Sequence, residues 1–300
     1  MKLASIIVKI VTYIYSYLTD TKYHIGIIPH SDEILKTGNM PKIKWLTHHY
    51  KDRWFADPFI IDEDLNSYKI LVETYFYNTR KGVIGLIIAD KKSFKLKYYK
   101  TILDLKTHLS FPNYYYDGNK NLYVYPENSA SGYCRLYKFN YKTEVLEPES
   151  ILCDLPLIDA AFITQDRKLM TATISPNGNG SECHILSKNG SKYSDAGIIY
   201  TAKNTARGAG NTFLTGSGKL IRPAQNCNKR YGAGLVFQEI QFNGNNIYFK
   251  EVNRVYPNDK KYNAGLHTYN KFGNIAIVDG YYEPNKYIAN LMRKLAHLGR

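Results

Sequence analysis

Apolar residues in this chain come in short runs. Each run opens on a polar residue, breaks at a tight polar turn and resumes on the far side. The clearest instance spans residues 108–132, HLSFPNYYYDGNKNLYVYPENSASG. Residues 111–116 and 122–125 are dense in aromatic and β-branched side chains. Asp117-Gly118 between them is a hairpin signal, because primed turns need positive φ. A polar loop carrying Glu127 follows, and residues 134–139 alternate as a third strand. The same unit recurs where 57–61 turns into 68–73 and where 159–163 turns into 168–170. The run VIGLIIA at 83–89 is almost wholly apolar, as expected of the innermost or most buried strand of a sheet. Further strands are expected at 23–28, 43–46, 183–186, 206–213, 220–226, 265–270 and 274–280.

Asp57, Phe111, Asp159, Arg207 and His267 occupy equivalent places in these units, at steps of 54, 48, 48 and 60 residues. A period of about 50 is the size of a four-stranded propeller blade. Five anchors imply five blades, and the strands before Asp57 would complete the last blade and close the ring. Mid-chain helical periodicity is nearly absent, so the pattern predicts an all-β fold: a five-bladed β-propeller over 23–283.

The ends follow a different period. In residues 1–22, Leu3, Ile6, Ile7, Ile10, Val11, Ile14 and Leu18 share one helical face, with Lys2 and Lys9 on the other. Lys9 interrupts the apolar core a secretory signal needs, and the segment is shorter and more two-faced than a membrane span of about 20 apolar residues. It reads as a short amphipathic helix, lying at a membrane interface or packed on the core. Residues 284–300 repeat the pattern with Ile288, Leu291, Met292 and Leu295. A closed ring brings both helices to one side, as an anionic-lipid surface or a shared cap.

Composition sharpens this only in places. The net charge of +14 favours anionic partners, but the lysines are dispersed and no helix-turn-helix, zinc-finger or RNA-recognition pattern occurs. Nucleic acid is therefore not expected. Cys134, Cys153, Cys183 and Cys227 form no C-x-x-C pair and no disulfide framework, so reduced thiols, a cytoplasmic setting and no metal or other cofactor are expected. The 28 tyrosines suit half-buried strands, and they also suit sugar-binding walls, since each ring offers an apolar face and a hydroxyl tip.

In a propeller the starts of the inner strands converge on one funnel. Asp57, His108, Asp159, Arg207 and His267 would meet there, within reach of Glu127, Arg222 and Gln225. Glycosidic chemistry needs two carboxyl groups, one protonated and one ionised. Asp57 is the candidate base or nucleophile, Glu127 the candidate acid and Asp159 a positioning partner. His108, Arg207, Arg222, Gln225 and His267 are candidates for holding a glycan or glycolipid substrate. Each also has a plain structural reading: Asp57 as the start of a strand, Glu127 as a loop cap, the arginines as braces between blades, the histidines as satisfied core residues.

The ordered segments WFADPF (54–59), HLSFPN (108–113), PENSASG (126–132), LIDAAF (157–162), ARGAG (206–210), RPAQNCNKRYG (222–232) and GLHTYN (265–270) resemble one family. It is the domain found at the N-terminus of glucosamine inositolphosphorylceramide transferases, and alone in bacteria. The resemblance covers residues 24–280. It implies a five-bladed propeller akin to glycoside hydrolase families 43, 32 and 62, and a place in cell-surface polysaccharide or glycolipid biosynthesis. The family's ring of motifs maps onto Asp57, His108, Glu127, Asp159, Arg207, Arg222, Gln225 and His267. Gly208 stands where the family usually has Pro. The wider superfamily uses a late-chain Glu, where this chain has Arg222 and Gln225; Glu127 is the substitute. The resemblance therefore implies either glycosidase-like or glycosyl-transferring chemistry, or a propeller that only binds glycan.

Overall fold

The computed structural model describes residues 21–174, 180–244, 246–285 and 287. Strands β1 (Lys22–Pro29) and β2 (Lys44–Trp45) come first, with a short helix α1 (Glu33–Thr37) between them. Blade I follows as β3 (Arg53–Glu63), β4 (Ser67–Phe76), β5 (Lys81–Asp90) and β6 (Leu96–Leu103). Blade II is β7 (Ser110–Tyr116), β8 (Leu122–Glu127), β9 (Cys134–Asn140) and β10 (Val145–Cys153). Blade III is β11 (Leu157–Phe162), β12 (Leu169–Ile174), β13 (Glu182–Asn189) and β14 (Lys192–Tyr200). Blade IV is β15 (Phe213–Leu214), β16 (Leu220–Asn226), β17 (Gly234–Asn243) and β18 (Asn246–Val255). Then β19 (Tyr269–Phe272) and β20 (Ile275–Tyr282) join β1 and β2 as blade V, in the order β19-β20-β1-β2.

The ring closes through β1 and β20, which pair antiparallel from Lys22 opposite Tyr282 to Pro29 opposite Ile275. The chain is a five-bladed β-propeller, with one chain end clasped to the other by backbone hydrogen bonds. A single parallel backbone pair, Cys153 with Tyr193, joins blades II and III into one sheet of eight strands.

Each sheet buries both faces, because a blade packs between two others. The apolar core is accordingly divided into five clusters, one per interface. Phe59, Leu71 and Ile84 of blade I meet Phe111, Leu122 and Val124 of blade II. Tyr125 and Leu136 meet Leu157 and Met170 between II and III. Phe213, Ile221 and Phe237 meet Tyr269 and Val278 between IV and V, and Ile25 and Ile277 meet Phe55 and Ile70 between V and I. The III–IV interface holds Ile163, Ile185 and Ile240 as its fully buried apolar members. The four cysteines are unbridged, and three are buried.

Several expectations need correction. The apolar run at 83–89 lies in β5, the third strand of blade I, so it is not the innermost strand, although it is buried along nearly its whole length as expected. The 111–125 hairpin forms, but Gly118 does not supply the positive φ. Asp117 accepts the N–H groups of Asn119 and Asn121 on one carboxylate oxygen, and Lys120 takes the left-handed turn at φ 62°. Glu127 ends β8, paired with Ser110, instead of riding a loop. The strand expected over 206–213 is regular only at Phe213–Leu214. Lys22 already belongs to β1, and the rest of the two terminal helices lies outside the described residues, apart from the inner end of the second.

Candidate functional site

The inner strands share a local device. The registers of β3, β7 and β11 against their neighbours slip between Ala56 and Phe59, Ser110 and Asn113, and Ile158 and Ala161. At each slip one residue adopts the left-handed region: Asp57 at φ 47°, Phe111 at 43°, Asp159 at 50°. Such bulges re-aim a side chain, and a left-handed non-glycine residue costs about 1–3 kcal/mol that its surroundings must offset. Here the surroundings are the neighbouring blades. The Asp57 N–H donates to Asp279 Oδ2 of blade V (3.1 Å), and the Phe111 N–H donates to Asp57 Oδ2 (3.0 Å). The Asp159 N–H donates to Glu127 Oε2 (3.4 Å). Each carboxylate thus fastens the bulged backbone of the following blade. The side-chain amides of Asn113 and Asn270 add donors to the carbonyls of Ala160 and Pro58 (3.0 and 2.9 Å).

The re-aimed side chains meet in one cavity of about 260 Å³, to which all five blades contribute. Blade I supplies Asp57, Glu73, Trp54 and Tyr75; blade II supplies His108, Ser110 and Glu127. Asp159 comes from blade III, Arg207 and Tyr231 from blade IV, and His267 and Tyr23 from blade V. Trp54 stacks on Tyr75 at 4.7 Å and 5°, and Tyr23 packs 4.8 Å from both Trp54 and His267. The walls are aromatic and the floor is ionisable.

Arg207 lies between two carboxylates. Its Nε donates to Asp159 Oδ2 at 2.7 Å, its Nη2 stands 3.6 Å from Glu127 Oε2, and its guanidinium covers Tyr231 at 4.9 Å. On the opposite side His267 sits between two others, with Nδ1 2.6 Å from Asp279 Oδ2 and Nε2 3.7 Å from Asp57 Oδ1. His108 Nε2 lies 3.0 Å from Glu73 Oε1, while its Nδ1 accepts the Gly82 N–H.

Four carboxylates line the cavity and Asp279 stands directly behind His267, against three cationic partners. Not all the acids can ionise together. Burial, then the charge of Asp159, pushes Glu127 well above the ordinary carboxylate range, with Arg207 opposing. Burial likewise pushes Asp57 up, against the pull of His267. For His267 burial opposes charge, but Asp279 and Asp57 outweigh it and hold the imidazolium up to about 9. The Glu73 hydrogen bond raises His108. The cavity therefore holds two carboxyl groups raised above the ordinary range, each opposed by one cation: Arg207 for Glu127 and His267 for Asp57.

Asp57, His267 and Asp279 offer ligand atoms within 4.8 Å of one another, the geometry of a cation site. Those atoms are already engaged. Asp279 Oδ1 accepts the His267 and Thr268 N–H groups (3.1 and 3.0 Å), and its Oδ2 faces His267 Nδ1 and the Asp57 N–H. Both Asp279 oxygens are thus committed to N–H donors.

Of the expected site residues, Asp57, His108, Glu127, Asp159, Arg207 and His267 converge. Arg222 and Gln225 do not reach the cavity wall. Arg222, 1% exposed, points into the III–IV interface, where apolar filling is thin. It donates to Gln238 Oε1 (2.7 Å) and the Ala206 carbonyl, and covers Phe249. It is a brace. Gln225 stands behind Asp159, donating to Oδ2 at 3.2 Å and to the Gly208 carbonyl at 3.0 Å. Glu73, Asp279, Trp54, Tyr75, Tyr23 and Tyr231 belong to the site without having been singled out. Strand register was their signal: Glu73 lies opposite Ala56, and Tyr75 opposite Trp54.

Gly208 has a structural reason to lack a side chain. A Cβ there would stand 2.6 Å from the Asp159 carbonyl oxygen. Gly208→Ala is expected to displace the Asp159 bulge and cost about 1–3 kcal/mol, measured by urea denaturation. An unchanged midpoint would show that the bulge yields freely.

Fold and cavity together define a five-bladed propeller with an acidic, aromatic-walled pocket at the centre of its ring. Among solved structures, the GH43_1 enzyme from Xanthomonas citri complexed with xylose is similar at a TM-score of 0.51 and 9% identity, over 77% of this chain and 88% of that one. A thermostable family-43 glycoside hydrolase gives 0.49 and 12%, over 70% and 81%. The bifunctional GH43-CE protein of Bacteroides eggerthii gives 0.46 and 10%, over 71% of this chain but 28% of that longer one. No curated protein matches the chain in sequence. The model of the family "Glucosamine inositolphosphorylceramide transferase 1, N-terminal" matches residues 44–274, and the chain belongs to that family.

Proposed function

We propose that the chain is a carbohydrate-active propeller of cell-surface polysaccharide or glycolipid biosynthesis. It takes a sugar in the central cavity and cleaves or transfers its glycosidic bond. The observation that carries this reading is a buried, proton-holding Glu127 facing the same aromatic-walled cavity as Asp57. Glu127 donates its proton to the departing glycosidic oxygen. Asp57 receives a proton from the incoming hydroxyl or water, or attacks the sugar directly. Asp159 and Arg207 orient Glu127, and the rings of Trp54, Tyr75 and Tyr23 stack on the sugar. The cavity is just below the range of about 300–1,000 Å³ usual for small-molecule sites, which suits one terminal sugar unit.

One observation favours a second reading, a glycan-binding propeller without turnover. Asp57 and Glu127 also fasten neighbouring blades, so their burial has a structural use. A glycan array followed by turnover assays on each hit separates the two. With catalysis, Glu127→Gln keeps its sugar affinity and loses turnover by about 10²- to 10⁴-fold. If wild type binds a glycan and turns none over, the binding reading stands.

The setting we propose is cytoplasmic, peripheral at the inner membrane through the amphipathic pattern of the chain ends. No described helix is long and apolar enough to cross a membrane. Flotation of the full chain with anionic vesicles tests the association, and a wholly soluble chain would refute it.

A further inference from the structure

A second pocket of opposite charge adjoins the cavity. It shares Tyr23 and Trp54 with it and occupies about 510 Å³ between blades V and I. Lys22, Lys51, Arg53 and Lys261 line it together with His24 and His48, and among the described residues no carboxylate does. Of the acids close in the chain, one is bound to a lining cation and the other turns to indole and backbone donors. Asp52 grips Arg53 through bonds of 2.9 and 2.7 Å, and Asp259 accepts the Trp45 indole N–H and the N–H groups of Lys261 and Tyr262.

Arg53 is shared between Asp52 and aromatic rings, and Lys261 lies over a ring. The Arg53 guanidinium lies 4.1 Å from the Tyr50 ring and 4.3 Å from that of Phe76, and Lys261 Nζ lies 5.0 Å from Tyr262. Both histidines are kept neutral chiefly by burial, with neighbouring cations adding to it. Burial, then His48, lowers His24 to about 3; burial, then His49 and Arg53, lowers His48 to about 4. His24 Nε2 is bonded to the Leu46 carbonyl, whereas His48 Nδ1 is buried without a partner. The pocket thus presents the ammonium groups of Lys51 and Lys261 and the unpartnered His48 ring nitrogen, beside an Arg53 whose Nε and Nη2 are taken by Asp52. Lysine ammonium groups recognise phosphate oxygens as point charges.

We propose that this pocket takes a phosphate group, and that the ligand is a phosphate-linked sugar lying across the Tyr23–Trp54 wall with its ring in the acidic cavity. The second half rests on the sugar-binding reading of that cavity; the first half does not. The wall between the pockets is aromatic, with Tyr23 and Trp54 centroids 4.8 Å apart, and it separates a cavity that holds protons from one that lacks anions. A molecule that is polyhydroxylated at one end and anionic at the other matches both.

Calorimetry on the full chain at fixed ionic strength tests this, with inorganic phosphate, a set of hexose 1-phosphates and the matching neutral methyl hexosides as probes. Phosphate is expected to bind saturably to wild type and about tenfold or more weakly to Lys51→Ala/Lys261→Ala. The charge-matched Lys168→Ala/Lys192→Ala, on blade III, should leave that affinity unchanged. At least one hexose 1-phosphate should bind about tenfold tighter than phosphate and than its methyl hexoside. Non-saturable phosphate binding, or equal losses in both double variants, overturns the pocket. Phosphate binding as expected with no gain for any hexose 1-phosphate overturns the joined ligand and counts against the sugar reading. Methyl hexosides binding without phosphate overturns the pocket and leaves the sugar reading intact. Pull-down by phosphatidylinositol but not phosphatidylcholine vesicles, dependent on Lys51 and Lys261, would assign the phosphate to a lipid; its absence, with soluble phosphates binding, would assign it to a soluble ligand.

Discussion

Asp279→Ala is expected to be the most damaging single substitution in the described fold, with a loss on the order of 5 kcal/mol. Asp279 has no exposed surface, and its carboxylate ties blade V to the Asp57 bulge of blade I. Its carboxylate accepts the backbone N–H groups of His267, Thr268 and Asp57 and faces His267 Nδ1 at 2.6 Å. Alanine would leave three buried N–H groups without acceptors and a buried imidazolium without its closest counter-charge. Breaking a buried ion pair from one side alone costs about 3–5 kcal/mol, and each orphaned buried donor adds about 1–3. Against a typical domain stability of about 5–15 kcal/mol, that is a large share. Asp279→Asn is the informative companion. Its amide oxygen can still serve His267 and Thr268, but the amide nitrogen cannot accept from Asp57 or His267, so an intermediate loss is expected. Urea denaturation measures both, and a cost below about 1 kcal/mol for alanine would mean that strand pairing and apolar packing suffice to hold blade V.

The fold was readable because inner strands carry dense signals. In β7, β8 and β3 the aromatic and β-branched runs coincide with the strands to within a few residues. The outer strands were not read. β10 is VLEPESILC and β14 is KYSDAGIIY, mostly exposed, so solvent rather than packing chose their side chains and no clean alternation survives. The site was legible as far as the period reached. Asp57, Asp159, Arg207 and His267 share a phase, and phase predicts convergence. Phase could not distinguish the two sides of a strand that packs between blades. Arg222 and Gln225 are three apart in one strand, and the first braces an interface while the second backs Asp159. Nor could it find Glu73 or Asp279, which come from second strands that look like ordinary core strands until register sets them beside Ala56 and opposite Ile25.

The same carboxylates hold the ring together and supply its chemistry, and this bears on how the site keeps its shape. A bulged backbone N–H bonded to the carboxylate of the preceding blade fixes that carboxylate as firmly as it fixes the bulge. Asp57 gives Oδ2 to Phe111 and turns Oδ1 toward His267; Asp159 gives Oδ2 to Arg207 and Gln225. Side chains fixed in this way are preorganised, which is what a site needs if binding or proton transfer is to require little rearrangement.

Stability is expected to peak near pH 4–6 and to fall by about 3 kcal/mol or more toward pH 10. His267 carries the largest part. Its pKa is about 9 in the fold against 6.5 in the unfolded chain, so between those values the folded chain keeps a proton that the unfolded chain has released. The stabilisation is complete below pH 6.5 and is lost as pH rises through about 9. Glu127 and Asp57 act in the same direction. Their folded pKa values lie above 4.5 and 3.8, so protons stay bound where the unfolded chain has lost them, and stability declines as pH rises beyond those values. Asp279 opposes on the acid side, since its lowered pKa contributes stability above 3.8 that is lost as pH falls. Its pairing with His267 is one interaction seen from two partners and is counted once. Urea denaturation at a series of pH values should therefore show a descending limb in two parts. His267→Gln should flatten the part between pH 6.5 and 9, and Glu127→Gln the part that begins near 4.5. A wild-type curve that is level or rising between pH 6.5 and 9 would mean that His267 carries no proton of its own in the fold. In that case Asp57 would face a neutral imidazole, and its own proton would be held more tightly still.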